Sequence, residues 1–228
     1  MLEMNGYGML LMQGTATTLS LALLSASVAV TLGLAGALMR VYGRPPFAFL
    51  VAVYTTVIRG IPDLALMLLI FYSLQGWVSK LAAEIGWARA VIDPFSAGVM
   101  TLGFIYGASF VETFRGALIA LPAGQVEAAR AIGLKNRRIF TRIIFPQMLT
   151  IALPGVTNNW LVLMKSTALV SIIGLQELVT YGGQAGSATQ RPFFFMVTVG
   201  GIFLSITAVS KFLLDWASHK FDPSARAT

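Results

Sequence analysis

Two carboxylates, Asp63 and Glu112, stand inside otherwise apolar sequence. An ionised side chain in a bilayer costs several kcal/mol unless it is matched, so each is a candidate for function. Asp63 could attract a cationic solute, or pair with Arg59 four residues earlier on one helix face. Glu112 could do the same or pair with Arg115 three residues on. Lys165 could serve a solute path or snorkel to the surface, and Asn158 and Asn159 could contact solute or bond between helices. Cys is absent and the single His219 lies near the C-terminus, which leaves no thiolate or His-based metal centre. There is no G-x-x-x-x-G-K-[ST] phosphate loop, no G-x-S-x-G and no H-E-x-x-H. These residues point to moving a polar solute or to pairing helices, not to catalysis, and no cofactor is expected on this chain.

The elements that hold them follow from composition. Of 228 residues, 57% are hydrophobic and 11% charged, against about 45–50% and 25% in an ordinary soluble domain. Mean hydropathy is +0.78. One all-α membrane domain over 9–217 is expected, with a cytoplasmic tail over 218–228. A span takes roughly 20 apolar residues, and five are expected, over about 9–39, 58–78, 94–118, 147–172 and 192–214. The first run carries no charge until Arg40 and Arg44, and no Lys or Arg precedes it, unlike a cleavable signal. The net charge of +7 is read as topology, because cytoplasmic loops collect Lys and Arg, and not as nucleic-acid binding. That rule places the N-terminus outside and the C-terminus in the cytoplasm. The second apolar stretch is longer than one span, so its inner boundary is open; Trp77 anchors its outer end. Leu81, Ile85 and Ala88 suggest an amphipathic outer helix over 79–93. Gly33, Gly36, Gly200 and Gly201 suggest close helix contacts. The Gly-rich segment over 174–191 is either a flexible outer loop or part of an external gate.

The loop over 119–146 holds the most basic stretch: Arg130, Lys135, Arg137, Arg138 and Arg142, offset by Glu127. A short helix from Gln125 to Ile132 is expected, closed by Gly133 in a left-handed conformation. A second helix starts near Asn136, and Pro146 marks where the fourth span begins. Helix–Gly–helix on a basic loop is either a docking shape or a solvated connection.

E-A-A, three residues, Gly, nine residues, then I-x-L-P is the signature of ABC importer permeases. Glu127, Ala128, Ala129, Gly133, Ile143 and Pro146 match it in register, with Phe145 in place of Leu. R-G-I-P-D at 59–63, E-T-F-R-G-A at 112–117, L-P-G-V-T-N-N-W at 153–160 and K-S-T-A-L-V-S at 165–171 resemble the polar amino-acid branch. The chain looks most like Q-type permeases of histidine, lysine-arginine-ornithine or octopine/nopaline uptake.

This resemblance implies the type I importer permease fold in a bacterial cytoplasmic membrane, importing polar and especially basic amino acids. A neutral, Gln-type substrate is the alternative. It implies ATPase coupling through Glu127, Ala128, Ala129, Ile132, Gly133 and Pro146. A second homologous permease (a heterodimer), two ATP-binding subunits carrying ATP and Mg, and an extracytoplasmic solute-binding protein are the implied partners, besides membrane lipid. Asp63, Glu112, Asn158 and Lys165 are the substrate-pathway candidates. A secondary transporter is the rival from another class, but internal repeats are not visible and five spans do not halve.

Overall fold

The computed structural model describes residues 6–84 and 92–221. Its helices are α1 (Gly8–Tyr42), α2 (Pro45–Gly60), α3 (Asp63–Glu84), α4 (Pro94–Ile119), α5 (Ala123–Ala131), α6 (Asn136–Ile139), α7 (Phe145–Ser166), α8 (Leu178–Ala188) and α9 (Pro192–Phe221). A π-helical turn, Phe140–Ile144, joins α6 to α7, and a 3-10 segment, Thr167–Ile173, continues α7. No strand occurs among the described residues. Among the described residues, five stretches are long and apolar enough to cross a membrane: α1, α3, α4, Asn136–Ile173 and Pro192–Trp216.

Close approaches fix the relative directions. Leu21 lies against Gly98, Val28 against Gly103 and Phe110 against Gly33, so α1 and α4 run parallel. Between them in sequence, α3 runs opposite to α4, with Asp63 beside Tyr106 and Gln75 Oε1 accepting from Ile92 N at 2.9 Å, while Tyr54 of α2 donates to Phe104 O. The α7 helix runs opposite to α4, with Asn159 beside Thr113 and Ser166 beside Tyr106. Lys211 and Asp215 of α9 share a pocket with Pro154 and Leu161 of α7, while α9 begins against Gly186 of α8. Two opposite faces result. One carries the start of α1, the end of α3, α8 and the start of α9. The other carries the end of α1, α5, α6 and the end of α9.

The central element is α4. Within its apolar window 61% of residues are buried, against 11% for α9. Its side chains Leu102, Ile105, Tyr106, Phe110 and Phe114 fill the main core with Leu21, Met67, Met148, Leu163 and Val170. Absent side chains allow the tightest contact: a Cβ on Gly33 would overlap that of Phe110, the small-residue packing that brings membrane helices together. Gly36 similarly meets Val111. Gly200 and Gly201, expected to make such contacts, instead face open space. A smaller core of Leu11, Leu178, Ala185, Phe195 and Val199 binds α8 to α1 and α9.

Several elements depart from the sequence expectation. The second apolar stretch is two helices, broken at Ile61–Pro62. Residues 58–60 close α2, and Asp63 opens α3. Proline restricts its preceding residue to extended backbone, and Ile61 has φ −113° and ψ 141°. Helix α3 reaches Glu84, so the start of the expected outer helix simply extends it. Ile85, Ala88 and Arg89 lie outside the described residues, as do Glu3 and 222–228 of the tail. The fourth run is helical from Asn136 to Ile173, longer than 147–172. Pro146 does not interrupt it. The wide π turn ahead of Pro146 accommodates a ring that lacks a donor and crowds the preceding turn. Finally, 174–191 holds a helix, α8, where a flexible loop was one expectation.

Candidate functional site: the coupling loop and the membrane-embedded polar groups

Pro122, with extended backbone, starts α5, and the helix closes at Gly133 with φ +78°. Gly133 N donates to Arg130 O at 2.9 Å and Leu134 N donates to Ala129 O at 3.1 Å. These are the two bonds of a Schellman closure, which needs a left-handed residue where the Gly stands. Ala129 is the buried residue of α5, whereas Glu127 and Ala128 are exposed and Ile132 is 77% exposed. Gln147 Nε2 donates to Gln125 Oε1 at 2.6 Å, tying α5 to the base of α7. Beside this tie is a groove of about 420 Å³ lined by Ala128, Ala129, Ile132, Leu134, Arg142 and Ile143, among others. Thus three of the expected coupling residues border one groove. Glu127 and Gly133 lie on the same helix and its closure, and Pro146 stands in the first turn of α7. Leu134 was not singled out from sequence, and Arg142 only as part of the basic stretch, because only folding α6 back beside α5 brings them to the groove.

The substrate-pathway candidates separate into different environments. At the start of α3, Asp63 Oδ2 accepts from Tyr106 Oη at 2.7 Å, and Tyr106 Oη lies 2.5 Å from Ser166 Oγ. Since the one phenolic proton goes to Asp63, Ser166 must donate to the Tyr106 oxygen. This chain links α3, α4 and the end of α7. Arg59 sits on the other side of the break, so the same-helix Arg59–Asp63 pair expected from spacing does not form. Glu112 accepts from Arg115 Nε at 2.8 Å and from its terminal nitrogen at 2.6 Å. Asn158 is exposed in a pocket with Thr157, Lys211 and Asp215, while Asn159 Nδ2 donates to Thr113 Oγ1 at 3.0 Å. Lys165, next to Ser166, is exposed in the last turn of α7. No group of three His, Cys, Asp or Glu suited to a metal occurs among the described residues.

One acidic residue went unnoticed in the sequence. Glu177, fully buried, caps α8: its Oε1 accepts from Thr180 N at 2.9 Å and its Oε2 from Thr18 Oγ1 at 3.3 Å. Thr18 Oγ1 in turn accepts from Leu178 N at 3.3 Å. Burial pushes the Glu177 carboxyl above the usual carboxylate range, against the N–H groups of Val179 and Thr180 that pull it down. The signal available was Glu three residues before Thr at the start of an undeclared helix.

Residues 29–223 match the family described as "Binding-protein-dependent transport system inner membrane component". The chain belongs to this family. It is therefore a multi-pass inner-membrane transport component, in a family whose permease subunits leave ATP hydrolysis to a separate subunit. Among curated relatives it is 45% identical to the histidine/lysine/arginine/ornithine transport system permease protein HisQ of Escherichia coli K12, over 95% of each chain. It is 34% identical to the octopine transport system permease protein OccQ of Rhizobium radiobacter, over 90% of this chain and 87% of that one. Among solved structures, an amino acid ABC transporter with histidines superposes with a TM-score of 0.81 at 30% identity, covering 96% of this permease and 97% of that chain. The inward-facing methionine transporter MetNI matches at a TM-score of 0.76 and 19% identity, over 94% and 97%, which speaks for the fold alone.

Proposed function

We propose that this permease imports basic amino acids, driven by ATP hydrolysed on a partner and transmitted through α5. The carrying observation is the E-A-A helix itself: an exposed Ala128, an exposed Ile132 and a Schellman-closed end, set on a groove at the basic face. Ala side chains let a partner approach closely, and the cationic rim suits a cytoplasmic loop. On this reading that face is cytoplasmic, the N-terminus is outside, and the permease domain spans 9–217. A second homologous permease completes the path, two ATP-binding subunits with ATP and Mg engage the α5 helices, and a solute-binding protein delivers substrate near α8.

The substrate class is supported by the relatives' histidine/lysine/arginine/ornithine and octopine systems and by the placement of Asp63. Its carboxylate is half-exposed at the start of α3. Tyr106 takes Oδ2 and fixes the group, and Oδ1 is left to meet an ammonium or guanidinium. Glu112, matched by Arg115, serves structure and not solute. Asn158 and Lys165 flank the α7 side of the path.

Competition uptake by the reconstituted complex tests this reading, with Lys, Arg, ornithine, His and Gln as competitors. Wild type should prefer the cationic set. Asp63→Asn should lower their uptake about tenfold, the value of one hydrogen bond to a charged group, and Gln uptake much less. Equal loss for cationic and neutral substrates would make Asp63 a structural cap of α3.

A further inference from the structure

Between α7 and α9, toward the face that carries α5, lies a cavity of about 310 Å³ lined by Pro154, Thr157, Asn158, Leu161, Lys211 and Asp215. Pockets for small ligands begin at about that size. Its α7 wall is one stripe: Pro154, Thr157, Asn158 and Leu161 follow helical spacing, and Lys165 lies one turn further on. Its α9 wall is a pair of opposite charges, Lys211 and Asp215, four residues or about 6 Å apart along the helix. Both are exposed, although they belong to Pro192–Trp216, a stretch apolar enough to cross a membrane. Ionisable groups in such stretches face a bundle interior or a watery cavity. Here they stand across from the exposed amide of Asn158. Neither the coupling loop nor the Asp63–Tyr106–Ser166 chain involves Lys211 or Asp215.

The charges select the ligand. Among the described residues Lys211 has no carboxylate within ion-pair distance, so the two charges do not close on each other across the turn. Asp215 would repel a simple anion, and Lys211 a simple cation. A small solute with an ammonium and a carboxylate on neighbouring atoms satisfies both. Carboxylates accept from several donors, so Asp215 can hold an ammonium alongside contacts within the protein. Thr157 adds a hydroxyl and Asn158 an amide, each able to donate and accept. An α-ammonium beside an α-carboxylate is what all free amino acids share, whatever the side chain. Asp63 offers a carboxylate alone. It lies near Ser166, eight residues or about 12 Å along α7 from Asn158.

We propose that this cavity is a second solute station, in which Lys211 takes the α-carboxylate and Asp215 the α-ammonium of a free amino acid. The station rests on the transport reading above and deepens it. Asp63 selects the side chain, and the groups common to all substrates are held nearer the α5 face. A cationic solute then meets a carboxylate at each station, which keeps its charge matched on the way through the membrane.

The chain has no cysteine, so Thr157→Cys places a single thiol in the cavity wall. Maleimide labelling of that thiol reports occupancy, read by mass on this chain in the complete transporter in phosphatidylcholine nanodiscs. Arginine and glutamine should slow labelling equally, since the site reads what they share. Agmatine lacks the carboxylate, and argininic acid has a hydroxyl in place of the α-ammonium; each should need about tenfold more for equal protection. Lys211→Gln should weaken protection by arginine about tenfold and leave that by agmatine unchanged. Asp215→Asn should likewise weaken arginine and spare argininic acid. Arginine should still protect in Asp63→Asn, and Lys80→Gln, near the end of α3, should change nothing. Equal weakening of arginine and agmatine in Lys211→Gln would overturn the proposal, making the lysine structural. Protection by arginine but not glutamine would overturn it as well, assigning the cavity to side-chain selection. A thiol that stays closed to reagent in the complete transporter would do the same, because a second permease would then fill the cavity. An unprotected thiol beside normal, cation-selective uptake would sink the station alone. Protection beside uptake that prefers neutral solutes would uphold the station and refute the reading of Asp63.

Discussion

At Glu177 a carboxyl group with no exposed surface joins α1 to the start of α8 through Thr18. Its pKa is raised, chiefly by burial. The folded protein therefore favours the protonated form, and this group's contribution to stability is present below the ordinary carboxylate range. That contribution is lost as pH rises through the raised value. Thermal melting of the reconstituted permease should show stability falling with rising pH from the carboxylate range upward. Glu177→Gln should flatten that part of the profile, and Glu177→Ala should cost about 1 kcal/mol or more through the lost cap. An identical pH profile for wild type and Glu177→Gln would remove this residue from the account. Sequence alone drew attention to Asp63 and Glu112 because they interrupt apolar runs. Glu177 sits in a polar, Gly-rich stretch, where a carboxylate looks ordinary until a partner 159 residues away buries it.

The same contrast holds for whole elements. Helices α1, α4 and α9 were legible because each is a long apolar run ended by charge or proline. The break between α2 and α3 was half legible: Arg59, Pro62 and Asp63 interrupt the apolar stretch, but one span counted back from Trp77 was carried across them to 58. Helix α8 was hidden. Its Gly-Gly-Gln-Ala-Gly sequence has poor intrinsic helicity, and packing against α1 and α9 stabilises it; Gly182 lies where a Cβ would strike Val199. Helix α5 was readable from its own residues, because Gly133 ends it locally. Its left-handed φ makes the closure a sharp test: Gly133→Val places a β-branched side chain in that region at a cost of roughly 1–2 kcal/mol. Substrate-stimulated ATP hydrolysis by the assembled complex should fall severely, while the isolated permease keeps its helical circular dichroism. Full stimulation in this variant would show that the α5 end does not carry the coupling.

Across the whole molecule, the five crossings alternate in direction and sort the charges. Arg40, Arg44 and the cluster from Arg130 to Arg142 gather at the face that carries α5, and α8 closes part of the opposite face. The sequence already located the basic loop, but not what stands over the far end. There the buried Glu177 cap and the small core of α1, α8 and α9 form a compact unit. The Asp63–Tyr106–Ser166 chain lies between the two faces and ties the three helices α3, α4 and α7 to one carboxylate. Helix α7, continuous from beside the loop to Ser166, joins the α5 face to that chain. The most direct measurement is uptake of labelled arginine into proteoliposomes holding the complete complex, with and without ATP at the α5 face and with binding protein on the other side. Accumulation should require both, and an imposed ion gradient should not replace ATP. Arginine entry driven by the ion gradient alone, without ATP or binding protein, would contradict the account.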